Sequence, residues 1–320
     1  MRIRFYTVLA ILSAAALCGC RDKEGSESEK LVIFHAGSLS VPLRQVSNEF
    51  MKTNPNITVL AEAAGSRDCA RKISDLGRQC DVMASADYTV VANLLMPEHA
   101  DFNIRLATNE MAIAYTAKSK LAGKITPENW TEILLTDGVV YGRADPNRDP
   151  CGYRSVMAIQ LAEKKFAQPG LADKLMNKPG QQIRPKETDL LSLLEAGEID
   201  YLFIYRSVAS QHKLKTLLLS DEVNLKSPDL ADLYKTATIE ITGKKPGQMI
   251  TKKGQAMVYS VTIPKNSPNR KAAQAYIAFL LSDKGKAIME VNGQPSPRPA
   301  ITDGFENLPE SIRPFCVKSE

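Results

Sequence analysis

The chain has 320 residues, 44% of them apolar and 24% charged, which suffices for two domains with real cores and excludes extensive disorder. The formal net charge is +5; without residues 1–19, which carry Arg2 and Arg4 and no acid, 39 basic residues stand against 36 acidic ones, a net of +3. So mild and evenly spread a charge excludes a nucleic-acid surface.

Arg2 and Arg4 precede an apolar run from Val8 to Leu17. The run is too short to span a bilayer and predicts a secretory signal peptide over residues 1–19. Leu17-Cys18-Gly19-Cys20 resembles a bacterial lipobox, with Cys20 as the lipidated first residue of the mature protein, although Cys18 is unusual two positions before it. Simple secretion and release is the alternative. Residues 20–30 are polar and aperiodic, a flexible tether between membrane and domain. The expected location is therefore extracytoplasmic, periplasmic or at the cell surface. Four further cysteines remain: Cys69, Cys80, Cys151 and Cys316. Cys69 and Cys80 lie across a predicted helix, too far apart for a disulfide, whereas Cys151 with Cys316 stays open.

From residue 31 onward, strand-like and helical segments alternate. Leu31–Phe34, Ile57–Leu60 and Asp81–Ala84 read as buried strands, with helices over Val41–Met51 and Arg67–Leu76 between them. Thr126-Pro127-Glu128 opens a helix through Leu135, Val139–Gly142 is a strand, and Gly152–Phe166 is a helix. Thr188–Ala196 is helical and ends at Gly197; Tyr201–Ile204 is a strand leading into a helix from Ser207. This grammar predicts mostly parallel sheets covered by helices. Glu110–Thr116 and Gln255–Ile263 are extended without a preceding helix, and either could carry the chain between domains. Asn269–Leu281 is an amphipathic helix.

Four places put small or polar residues just before a helix: Ala36-Gly37-Ser38, Ala64-Gly65-Ser66, Asp149-Pro150-Cys151-Gly152 and Lys186-Glu187-Thr188-Asp189. Free N–H groups and the positive end of the helix dipole gather there, so several such ends converging on one point would hold a dianion. Singly, each reads as an ordinary cap.

Their order and spacing carry more. Phe34-His35-Ala36-Gly37-Ser38-Leu39, Ala63-Ala64-Gly65-Ser66, and Asp145-Pro146-Asn147 with Asp149-Pro150-Cys151-Gly152-Tyr153-Arg154 together resemble the tungstate- and molybdate-binding components of ABC importers, tungstate-type branch. So do Arg184-Pro185-Lys186-Glu187-Thr188-Asp189-Leu190-Leu191 and Tyr205-Arg206-Ser207-Val208-Ala209, and the likeness runs from about residue 31 to 313. The resemblance implies an α/β, type II periplasmic binding fold: two lobes, approximately residues 31–109 plus 262–320 and residues 110–261, with the ligand in the cleft between them. It implies ligand contacts from Gly37, Ser38 and Ser66 in the first lobe, and from Pro150, Cys151 and the Tyr205 hydroxyl in the second. It also implies that Asp149 and Glu187 reach the tungsten or molybdenum atom itself. Two carboxylates would repel sulfate or phosphate, whereas a d⁰ metal centre accepts them as hard donors. The implied partners are the oxyanion and the importer's membrane subunits, with the chain a monomer, no nucleic acid bound, and no cofactor besides the transported ligand.

The rivals are weaker. Three histidines, His35, His99 and His212, form no HExxH pattern and no GxSxG elbow exists, which argues against a hydrolase. Scattered His and Cys residues lack zinc-ligand spacing, although Tyr153 and Tyr205 could bind ferric iron. A different oxyanion, sulfate or phosphate, is the strongest alternative ligand. Cys151 reads as a small buried residue, and Lys244, Lys245, Lys252 and Lys253 as a solvated loop.

Overall fold

Leu31, Ile33 and Phe34 lie on opposite faces of one strand and all are 0% exposed, so this strand is covered on both sides. It is β1 (Glu29–Ala36) of a computed structural model that describes residues 28–319; the expected signal segment 1–19, Cys20 and most of the tether lie outside the described residues. Helix α1 (Ser40–Thr53), β2 (Ile57–Ala64), helix α2 (Ser66–Ser74), β3 (Val82–Ser85), helix α3 (Tyr88–Leu94) and β4 (Asn103–Thr108) follow. β2 and β3 flank β1 in parallel, and the two short loops after β1 and β2 bring Gly37-Ser38 and Gly65-Ser66 to the same sheet edge.

The chain then leaves for a second sheet: β5 (Met111–Tyr115), β6 (Tyr141–Ala144), β7 (Gln182–Arg184), β8 (Tyr201–Tyr205) and β9 (Lys215–Leu218), in the order β7-β6-β8-β5-β9. Helix α4 (Trp130–Leu135) precedes β6 and helix α5 (Pro150–Lys165) follows it. A two-stranded hairpin, β10 (Thr238–Thr242) and β11 (Met249–Lys253), is fixed to α5 by a reciprocal pair of 2.9 Å bonds between Gln160 and the Thr238 backbone. The chain returns through β12 (Val258–Thr262), and β13 (Ala300–Asp303) and β14 (Cys316–Lys318) finish the first sheet as β14-β13-β4-β12-β3-β1-β2.

Neither sheet is mostly parallel. β12 runs antiparallel to both β3 and β4, and β5 runs antiparallel to both β8 and β9. The strands that follow each crossing enter their sheet from the far lobe, and this reverses them against their neighbours. The basic stretch expected as a solvated loop is partly the strand β11, in which Lys252 is buried. The expected helix at 188–196 is split into a 3-10 turn, Glu187–Leu190, and an α-helix, Leu191–Ala196. Cys69, Cys80, Cys151 and Cys316 are all buried free thiols, so the open Cys151–Cys316 pairing is not made.

Candidate functional site

The lobes are shut over the predicted residues. Ser38, Ser66, Asp149, Cys151, Glu187 and Tyr205 are each at most 1% exposed. Closure is tight because glycines meet the other lobe across the seam: a methyl group on Gly65 would stand 2.3 Å from the Arg148 carbonyl oxygen, and one on Gly37 would stand 2.8 Å from the Thr188 side-chain Oγ1. The Arg67 N–H donates to the same Arg148 carbonyl at 3.2 Å, and the Arg148 and Asp68 side chains pair at 2.7 Å.

Three hydroxyls arrive from three elements. Ser38 sits in the 3-10 turn Gly37–Leu39 that leads into α1; its Oγ accepts from the Tyr259 hydroxyl at 3.1 Å, and its carbonyl from Gln294 Nε2 at 2.9 Å. Ser66 is the first residue of α2, and its Oγ accepts from the Ala86 N–H at 2.9 Å. Tyr205 ends β8, and its hydroxyl accepts from Arg154 Nη1 at 2.9 Å.

Asp149 caps α5, with Pro150 at the first helical position, and Asp149 Oδ1 accepts from the Cys151 N–H at 2.6 Å. Of the donors expected around Cys151, that N–H is thus already engaged. Glu187 opens the turn after β7, and both its carboxylate oxygens are buried without a hydrogen-bond donor among the described residues. Burial pushes the Asp149 carboxyl well above the usual range, and the neighbouring Glu187 pushes it further. Glu187 is also raised, again chiefly by burial, while Lys186 pulls it down.

A second buried cluster, not legible in the sequence, lies beside the site. Asp87 caps α3 through Oδ1, while Oδ2 faces Tyr153 Oη at 2.5 Å, Lys252 Nζ at 2.9 Å and Arg154 Nη2 at 3.5 Å. Burial would raise this carboxyl, but Lys252 and Arg154 outweigh it and hold Asp87 below the usual range. Burial in turn lowers Lys252 despite the carboxylate facing it. The two shifts differ in what dominates, and the Tyr153 hydroxyl with two cations around Asp87 decides for an ionised cluster. Asp87 belongs to the first lobe and its three partners to α5 and the hairpin, so these bonds exist only with the lobes shut. Asn109 and Tyr259, beside the two crossings, and Gln294 were likewise not legible as site residues.

A two-lobed α/β body that closes over a buried shell of hydroxyls and two carboxyls defines a protein that encloses a small solute. Residues 31–294 match the family described as bacterial extracellular solute-binding protein, and the chain belongs to that family. Its place is therefore extracytoplasmic, and its family is one of solute binding and not of catalysis. A Petrotoga mobilis relative named as an uncharacterized solute-binding protein is 51% identical over 89% of either chain. The molybdate/tungstate-binding protein WtpA of Pyrococcus abyssi is 41% identical over 95% of either chain. Among solved structures, the periplasmic molybdate-binding protein of Azotobacter vinelandii superposes with a TM-score of 0.55 at 16% identity, covering 84% of this chain and 100% of its own, and so shares the fold.

Proposed function

We propose that this protein captures tungstate or molybdate outside the cytoplasm and delivers it to the membrane subunits of an ABC importer. The observation that carries the ligand class is the buried Asp149–Glu187 pair beside three hydroxyls, with both Glu187 oxygens lacking a donor among the described residues. Sulfate or phosphate in that cleft would face two carboxylates and gain nothing from them. A tungsten or molybdenum centre gains two hard oxygen ligands, so the same groups attract one oxyanion and repel the common ones. The 41% identity to a relative named for molybdate and tungstate supports the reading.

In this reading Gly37, Ser38 and Ser66 hold the oxyanion from the first lobe, the Pro150-Cys151 helix start and Tyr205 hold it from the second, and Asp149 and Glu187 reach the metal. The lobes divide at approximately 31–109 plus the chain from β12 onward and at the segment between them, a few residues before the expected boundary at 262, and the chain works as a monomer. Calorimetric titration with tungstate, molybdate and sulfate tests the ligand. Tungstate and molybdate should bind at least about a hundredfold tighter than sulfate, roughly 2.7 kcal/mol; equal affinity for sulfate would overturn the assignment.

Lipidation of Cys20 would hold the protein at the membrane through the 20–30 tether. Cys20→Ser should move it from the membrane fraction to the soluble one, and identical partitioning of variant and wild type would exclude the anchor.

A further inference from the structure

Each hydroxyl in the cleft accepts a hydrogen bond from the protein, and a hydroxyl has a single hydrogen of its own. We infer that Tyr259, turned by Asn109, is a positioning residue that fixes the Ser38 hydroxyl as a hydrogen-bond donor towards the oxyanion, and that Arg154 does the same for Tyr205. This deepens the proposed function, since it concerns the same cleft, and it holds for any proton-free oxyanion.

The direction of the Ser38 relay is set at its far end. Asn109 Oδ1 accepts from the Glu110 N–H at 3.0 Å and from the Ser207 N–H at 3.4 Å. Two backbone donors on one atom identify it as the carbonyl oxygen, so the amide nitrogen points the other way. Asn109 Nδ2 then donates to the Tyr259 hydroxyl at 3.0 Å and to Ser207 Oγ at 2.7 Å. With its oxygen already accepting, Tyr259 sends its hydrogen to Ser38 Oγ at 3.1 Å. Ser38 is left with its own hydrogen, and its carbonyl side is already held by Gln294.

The Tyr205 arm is simpler, because a guanidinium only donates. Arg154 Nη1 is held between the Ala86 carbonyl at 2.8 Å and the Tyr205 hydroxyl at 2.9 Å, so the phenolic hydrogen is free to point elsewhere. Ser66 follows the same rule through the Ala86 N–H. A shell preset in this way offers hydrogens before the ligand arrives and need not reorient when the lobes shut.

A double-mutant cycle separates this role from a general contribution to packing. Ser38→Ala, Tyr259→Phe and the double variant are titrated with tungstate, and melting of the ligand-free proteins is followed alongside. Each single change should weaken binding about tenfold, and the double variant should be no weaker than Ser38→Ala. An equal loss from Tyr259→Phe in both backgrounds would overturn the inference, because a packing role does not need the serine oxygen. If Tyr259→Phe fails to fold, Asn109→Ala replaces it in the cycle with the same expectation. If the wild type takes sulfate and not tungstate, the ligand assignment fails and the cycle run with sulfate still decides the relay. Binding of neither anion overturns both.

Discussion

The two lobes bring opposite chemistry to one cleft. The first contributes Ser38 and Ser66, neutral hydroxyls on loops between a parallel strand and a helix, each already accepting one bond. The second contributes, besides the Tyr205 hydroxyl, Asp149 and Glu187, two acids that burial pushes up, with Glu187 pushing Asp149 further. A serine side of this kind holds any tetrahedral anion, and by itself would make an unselective trap. The acid side makes the cleft poorer for most anions and richer for one whose central atom accepts oxygen ligands. In the proposed reading selectivity rests with the acids of the second lobe, capture is shared by hydroxyls of both lobes, and closure lets one ligand experience both.

The largest effect should come from breaking the closure itself. Asp87→Asn removes the charge that faces Arg154 and Lys252 in the shut state and leaves two buried cations with an amide. Breaking a buried pair from one side costs about 3–5 kcal/mol, here charged mostly to the closed form. Small-angle scattering with saturating tungstate should show Asp87→Asn more expanded than wild type; the same radius of gyration in both would show that the cluster does not hold the lobes.

Next comes the acid side alone. Glu187→Gln keeps size and removes a charge that has no donor among the described residues. If Glu187 is a metal ligand, tungstate affinity should fall about a hundredfold, roughly 2.7 kcal/mol, while sulfate binding improves. Tighter binding of both anions would mean that the carboxylate only repels, and unchanged binding of both would reduce it to a turn-opening residue.

A smaller effect isolates the seam. Gly65 has φ −60° and ψ 143°, which alanine adopts freely, so Gly65→Ala leaves the first lobe intact. Its methyl would nevertheless meet the Arg148 carbonyl at 2.3 Å once the lobes shut. Overpacking of this order costs about 1–3 kcal/mol, so tungstate affinity should drop about tenfold or more with melting of the ligand-free protein little changed. An affinity equal to wild type would show that the seam relaxes without cost.

What was legible in the sequence follows from the range over which each signal acts. Leu31–Phe34 and Tyr201–Ile204 announced strands because apolar runs between loop residues are local, and the strands stand where those runs are. The Gly-Ser turns were visible for the same reason. Tyr259 was not, because it meets Ser38 across 221 residues through the returning strand β12, and no local pattern encodes that pairing. Asp87 was not legible: it caps α3 with one oxygen, and its second oxygen serves partners on α5 and the hairpin, far away in sequence. Lys252 misled because a lysine-rich stretch reads as solvated unless its carboxylate partner is known. Sheet direction was misjudged because strand alternation shows that sheets exist without showing how the chain re-enters them.

The smallest effect tests the acid side without any substitution. Asp149 and Glu187 have carboxyls raised in the folded chain, whereas in the unfolded chain they ionise in the ordinary range. The folded state therefore holds more protons, and the stability linked to them is complete below the ordinary carboxylate range and is lost as pH rises through the raised values. Asp87 has the opposite sign, with stability present above the ordinary range and lost only in acid. His35, held below its ordinary value by burial, also loses its contribution downward, below about pH 6.5. Above the ordinary carboxylate range the acid pair therefore loses stability as pH rises, opposite in sign to Asp87 and His35 and to Lys252, whose pKa burial lowers. Calorimetric melting of the ligand-free protein should fall as pH rises through the raised values, by at most about 1.4 kcal/mol per pH unit for each carboxyl. Saturating tungstate should flatten the slope, since a metal centre binds the ionised carboxylates and the bound state has no proton left to lose. A flattening by sulfate as strong as that by tungstate would place the effect in closure of the lobes and not in the carboxylates.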